Sequence, residues 1–225
     1  MLLQFKKDDI VRHLGLLDLQ RTMQRALRRS GLPVTYSKGF NPHIVMSFAS
    51  ALSSGIPGDA ELLDVALCED TTEEACLSAM NRVLPPSLQA SRVRLVDDRF
   101  PKLGASLAQA EYRMTLYGKD AEKLTAHISS YLSCEEIMAL RKTKKSETLV
   151  NIRPMIHELS GNYSAANDSA VLIARVSFVE SATLKPELLL SSLCEYTGIE
   201  TPKHEIRRTR LLGLVNGQAI PLIDM

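Results

Sequence analysis

The sequence predicts an α+β protein made of two tandem ferredoxin-like domains, each a split βαβ α/β sandwich, over residues 1–98 and 107–225. Three observations carry that expectation. Apolar residues recur at helical spacing between Leu14 and Ser30, and short apolar runs bounded by turn residues lie on either side. The first hundred residues then follow the order β-α-β-β-α-β, apart from one extra short strand. After Arg99–Ser106, which reads as a linker by its Pro101 and Gly104, the same series starts again.

Taken in order, Leu2–Lys6 reads as a strand, Asp8-Asp9 as a turn and Ile10–His13 as the extra strand. The helix over Leu14–Ser30 carries Leu16, Leu19, Met23, Ala26 and Leu27 on one face. Gly31 stops it and Pro33 prevents its continuation. Thr35–Pro42 is loop-like, His43–Ala49 a strand, Gly55–Gly58 a turn and Leu62–Cys68 a strand. Thr71 opens a second helix, with Glu74 three residues later as a capping box, and Leu88–Val96 closes the series. In the second half, Glu111–Tyr117 is a strand and Asp120–Ser133 a helix capped by Asp120. Ile137–Lys142, Thr148–Met155 and Ala170–Val179 are strands, Pro186–Thr197 a helix, and His204–Leu214 the last strand.

With 225 residues, 45% of them hydrophobic and 24% charged, the composition excludes collagenous, disordered and disulfide-scaffold classes. Cys68, Cys76, Cys134 and Cys194 are too scattered for a zinc ribbon or an iron–sulfur cluster, and read as small apolar residues in a reducing cytoplasm. No metal or cofactor is expected, and no apolar window is long enough for a membrane helix or a signal peptide. The net charge of +1 conceals a division. Residues 1–48 hold eight Lys/Arg against three Asp/Glu, whereas residues 49–100 hold four against nine. Any nucleic-acid surface is therefore a local patch and not the whole protein.

That patch is predicted on the first helix and the loop after it. Arg21, Arg25, Arg28 and Arg29 share one stripe of the helix, and their planar guanidinium groups match pairs of phosphate oxygens. Tyr36-Ser37-Lys38-Gly39-Phe40-Asn41-Pro42-His43 interleaves two aromatics, a cation and a glycine expected at positive φ. On this reading Arg21, Arg25, Arg28, Arg29 and Lys38 contact phosphate, Tyr36 and Phe40 stack on bases, and Asn41 and His43 read a base or sugar. His43 is also the candidate general base, with Asp18, Glu61 or Asp64 as carboxylate partner. The ordinary alternatives are a solvated helix face, aromatics that plug the core, and Asp18 paired with Arg21 or Arg25. Arg141-Lys142, Lys144-Lys145 and Lys203, Arg207, Arg208, Arg210 either extend a phosphate track or form solvated edges.

The runs Leu17-Asp18-Leu19-Gln20-Arg21, Arg25-Ala26-Leu27-Arg28-Arg29, Leu32-Pro33, Tyr36–His43 and Ser47-Phe48-Ala49 resemble the radical-SAM-linked protein family. Gly55, Glu61-Leu62-Leu63-Asp64 and Ile152-Arg153-Pro154 fit later positions of its pattern. The family pattern often has histidine where this chain has Leu16, which argues against a histidine mechanism centred there. That family is a domain of unknown function found beside radical-SAM proteins or fused to them. The resemblance implies a partner role for a radical-SAM enzyme, in RNA modification or maturation. The chain itself has no closely spaced cysteine triplet for the radical-SAM cluster. The expected function is thus a cytoplasmic RNA-binding accessory protein with no membrane association. The alternatives are an RNA-processing or RNA-modifying enzyme with a site around His43, and a protein–protein adaptor for the radical-SAM partner.

Overall fold

In the computed structural model, which describes residues 1–97, 99–142, 147–179 and 182–225, the chain is a mixed α+β protein of mostly antiparallel strands and helices. It divides into two compact units, one of residues 1–107 with 208–225 and one of residues 108–207. Residues 208–225, expected in the second domain, fall in the first unit.

The first unit begins with β1 (Leu2–Lys7), whose Leu3, Phe5 and Lys7 all turn to the buried side. Where the sequence predicts a strand over Ile10–His13, the chain instead makes a 3-10 turn at Asp9–Val11. The Asp8 carboxylate accepts a hydrogen bond from the Asp9 amide at 2.8 Å and fixes that turn. Helix α1 (Leu16–Ser30) follows, ended by Gly31 at φ 76°. Its Leu19, Met23, Ala26 and Leu27 are buried, but Leu16, expected on the same face, is exposed.

Strand β2 is only Met46–Phe48, and β3 (Gly58–Val65) starts before the predicted Leu62. Thr72, not Thr71, caps helix α2 (Glu73–Asn81), its hydroxyl accepting from the Ala75 amide at 3.2 Å. Strand β4 (Ala90–Arg94) completes the set, and the expected linker contains a short helix, α3 (Leu103–Ser106). β1 lies between β3 and β4, antiparallel to both, and β2 runs antiparallel along β3. Leu3, Phe5, Leu63 and Val65 on the sheet pack with Met23, Leu27 and Met80 of the two helices in one apolar core.

The second unit contains β5 (Leu107–Tyr117), then α4 (Asp120–Ala126) and α5 (Ile128–Leu132), two pieces where one helix was predicted. The break falls at His127, and Asp120 is the first helical residue with no capping bond of its own. A separate hairpin joins β6 (Met138–Lys142) to β7 (Glu147–Asn151). Lys144 and Lys145 lie outside the described residues. β8 (Ile156–Ser164) was not predicted. His157, Glu158, Ser160, Gly161, Asn162 and Ser164 dilute its apolar pattern, but it pairs along its length with β9 (Ser169–Ser177). Helix α6 (Pro186–Thr197) and the start of β10 (His204–Val215) end the unit, with strand order β10, β5, β9, β8.

From Arg208 onward β10 belongs to the first unit, where it meets β3 in a parallel bridge at Arg208↔Gly58 and carries β11 (Gln218–Pro221). Arg208 is therefore not part of a solvated edge or a phosphate track. Its side chain is 1% exposed, and its Nε donates to Glu61 Oε1 at 2.8 Å while Nη2 engages Oε2. Lys7 is buried beside this pair and donates to the Arg12 carbonyl at 2.8 Å. Burial pushes its ammonium below the usual lysine range, and Glu61 opposes that shift.

Arg208→Met should cost about 3–5 kcal/mol in urea unfolding, because it leaves the Glu61 carboxylate buried without its hydrogen-bonded partner. The double change Glu61→Leu with Arg208→Met should recover part of that loss, since Lys7, bonded to the Arg12 carbonyl, is then the one charge of the three left buried. A small effect of the single change would show that water reaches this pair.

Candidate nucleic-acid interface

Helix α1 buries its apolar side and leaves Arg21, Arg25, Arg28 and Arg29 exposed, as a single stripe requires. The four are not equivalent. Arg21 meets Asp18 at 3.3 Å, Arg25 donates to Thr22 Oγ1 at 3.4 Å, and Arg29 donates to the Val83 carbonyl at 3.0 Å. Arg29 is thus partly spent in tying α1 to the end of α2. Arg28 has no hydrogen bond or ion pair among the described residues.

The loop after the helix is closed by a short polar neck. Tyr36 and Ile44 form an antiparallel bridge, and the Ser37 amide donates to the His43 carbonyl at 2.8 Å. The Ser37 hydroxyl lies 2.9 Å from His43 Nδ1 and accepts from the His43 amide at 3.1 Å. Gly39 sits at φ 126°, a conformation costly for any residue with a Cβ. The neck holds Lys38, Gly39, Phe40, Asn41 and Pro42 out as an exposed tip. Phe40 is fully exposed and Tyr36 nearly half exposed, so neither plugs the core. Ile44 and Val34 anchor the base of the loop instead.

The carboxylates proposed for His43 are placed elsewhere. Asp18 pairs with Arg21, the ordinary alternative for it, and Glu61 is buried against Arg208. Asp64 lines a separate cleft of about 630 Å³ with Ser47, Phe100 and Lys102. His43 contacts only Ser37 and, at 3.5 Å, the Asn41 carbonyl among the described residues. The arrangement is thus suited to presenting an aromatic ring and cations, and among the described residues no carboxylate is hydrogen-bonded to His43. Sequence reasoning missed the Glu61–Arg208 pair. Its signal was alternation, since Glu61 shares the core side of β3 with Leu63 and Val65.

All four cysteines are free thiols, with Cys76 and Cys194 buried and Cys68 exposed. Among the described residues no group of three or more His, Cys, Asp or Glu is placed to hold a metal ion, and no helix is long and apolar enough to cross a membrane.

Residues 1–186 match the model of a family described as "Uncharacterized protein conserved in bacteria (DUF2344)". The chain belongs to this family. That description does not mention radical-SAM proteins. A search of the curated proteins gives no match. Among solved structures, the DUF2344 chain is similar to a chain in the crystal structure of a Cbf5–Nop10–Gar1 complex, at 10% identity and a TM-score of 0.52. The alignment covers 93% of this chain and 48% of the other, so the chain spans about half the length of that protein. At this identity the likeness concerns the fold alone.

Ser37→Ala should remove both side-chain bonds of the neck and cost about 1 kcal/mol or less in global stability. The amide of His43 should then exchange with deuterium markedly faster, while amides of β1 and β3 stay protected. Unchanged exchange at His43 would show that the backbone bonds alone close the loop.

Proposed function

We propose that this DUF2344 protein is a cytoplasmic RNA-binding accessory protein that recruits or orients RNA for a radical-SAM enzyme in RNA modification or maturation. The observation that carries the RNA-binding part is the fully exposed Phe40 ring on a loop whose neck is locked by Ser37 and His43. Leaving a large apolar ring in water forfeits roughly 1.5–3 kcal/mol of burial. Presented with exposed Lys38 and Asn41, the ring offers a face on which an unpaired base can stack. The exposed arginines of α1 supply phosphate contacts, with Arg28 the least committed of them. The radical-SAM partner rests on the sequence resemblance.

The tandem ferredoxin-like reading belongs with this proposal. Strand orders β4-β1-β3 with β2 on the outer side of β3, and β10-β5-β9-β8, support two split βαβ repeats, the second interrupted by the β6–β7 hairpin. An enzyme site around His43 has less support, since the Ser37–His43 contact is used in closing the loop.

A labelled single-stranded RNA without guanine should bind with an affinity that falls steeply between about 50 and 200 mM salt. Phe40→Ala should weaken it about 5- to 100-fold by fluorescence anisotropy, the loss of one stacked base, with no change in thermal melting. Arg28→Gln should flatten the salt dependence. An affinity indifferent to Phe40 and to salt would overturn RNA binding. Retention of a radical-SAM enzyme after nuclease treatment would then favour the adaptor.

A further inference from the structure

We propose that the cleft at the Ser47–Asp64 end of the first unit receives a guanine base, so that the RNA would be held at Phe40 and also read by one base inserted there. The site deepens the RNA-binding reading and rests on it. Leu63 and Val65 of β3 point into the helix-covered core, so Asp64 between them points to the opposite face of the sheet. There it stands in register with Ser47 of β2 on one side and Leu2 of β1 on the other. Asp64 and Ser47 line a cleft of about 630 Å³, room for a base with its ribose. Phe100 and Lys102 line it from the segment after β4, and the Arg94 guanidinium lies 5.8 Å over the Phe100 ring and steadies it.

The chemistry selects the base. An ionised carboxylate is acceptor-only, with two oxygens side by side. Burial raises the Asp64 carboxyl from its usual range, and the N-terminal ammonium counteracts this. Guanine presents two adjacent N–H donors on its Watson–Crick edge, which match both oxygens. Adenine and cytosine place an acceptor beside their amino group, and uracil has one donor between two acceptors, so each sets a lone pair against the carboxylate. Exposed Glu69, Asp70 and Asp97 also line the cleft and disfavour phosphate. The nucleoside therefore enters and the phosphates stay outside.

Titration with guanosine, followed by NMR of the full chain, tests the assignment. Guanosine should shift amides of Ser47 and Asp64 and bind more tightly than adenosine or guanosine 5′-monophosphate. Asp64→Asn should weaken guanosine about tenfold or more, since a charge-assisted pair is replaced by a mismatched amide. Phe100→Ala should weaken it as well, at an unchanged melting temperature for at least one of the two variants. Equal binding of guanosine and adenosine, or Asp64→Asn and Phe100→Ala proteins that both bind as the parent does, would overturn the proposal. If guanosine fails to bind while guanine-free RNA binds through Phe40, the cleft assignment fails and the RNA-binding reading stands. If guanosine binds and no RNA does, the cleft is a nucleoside site and the RNA reading fails.

Discussion

The first unit depends on one buried ion pair, Glu61 with Arg208. These residues lie 147 positions apart in the chain, yet the bond closes a parallel bridge between β3 and the end of the molecule. Two charges out of water are tolerated only when each is well matched, and here the guanidinium fork meets both carboxylate oxygens. The surroundings are cut to fit. A Cβ on Gly58 would collide with the Glu61 side chain that Arg208 holds, so glycine leaves the carboxylate its space. Lys7, on the same side of β1, adds a third buried charge and sends its ammonium to the Arg12 carbonyl, which holds the turn after β1 in place. Without the pair, the carboxylate in β3 would lose its hydrogen-bonded partner and the returning strand its side-chain anchor.

Strand β3 serves both faces of its sheet through simple alternation. Glu61, Leu63 and Val65 build the core and the ion pair, whereas Asp64 and Leu62 belong to the opposite face. The helix-covered side is thereby fixed by packing, and polar side chains can stand on the other side. The loop from Tyr36 to His43 follows a different economy. Its stability comes from a handful of hydrogen bonds at the neck, and its tip gains no burial. Such a tip keeps its shape because the neck is anchored by Val34 and Ile44, which pass into the core.

Much of the fold was legible in the residues. Helix α1 was read from apolar spacing and ended by Gly31, because helical periodicity is local and glycine accepts the left-handed conformation. The exposed arginine stripe follows from the same arithmetic. Less was legible where a single local bond decides the outcome. Asp8 capping its neighbour turned an expected strand at Ile10–His13 into a 3-10 turn, and the choice of Thr72 over Thr71 as a cap shifted α2 by one residue. β8 was missed because a polar edge strand is defined by the ladder it joins, not by its own pattern.

The sequence by itself determined the alternation of strands and helices, the apolar face of α1 and the composition of the loop that follows it. Those properties depend on neighbours within a few positions. Only the tertiary structure decided what the charged residues do. Asp18, Glu61 and Asp64 look alike as candidates for His43 along the chain, but one pairs on a helix surface, one is buried against Arg208 and one lines a cleft. A carboxylate's role is set by its partners and its solvent, and both are brought to it by parts of the chain far away in sequence.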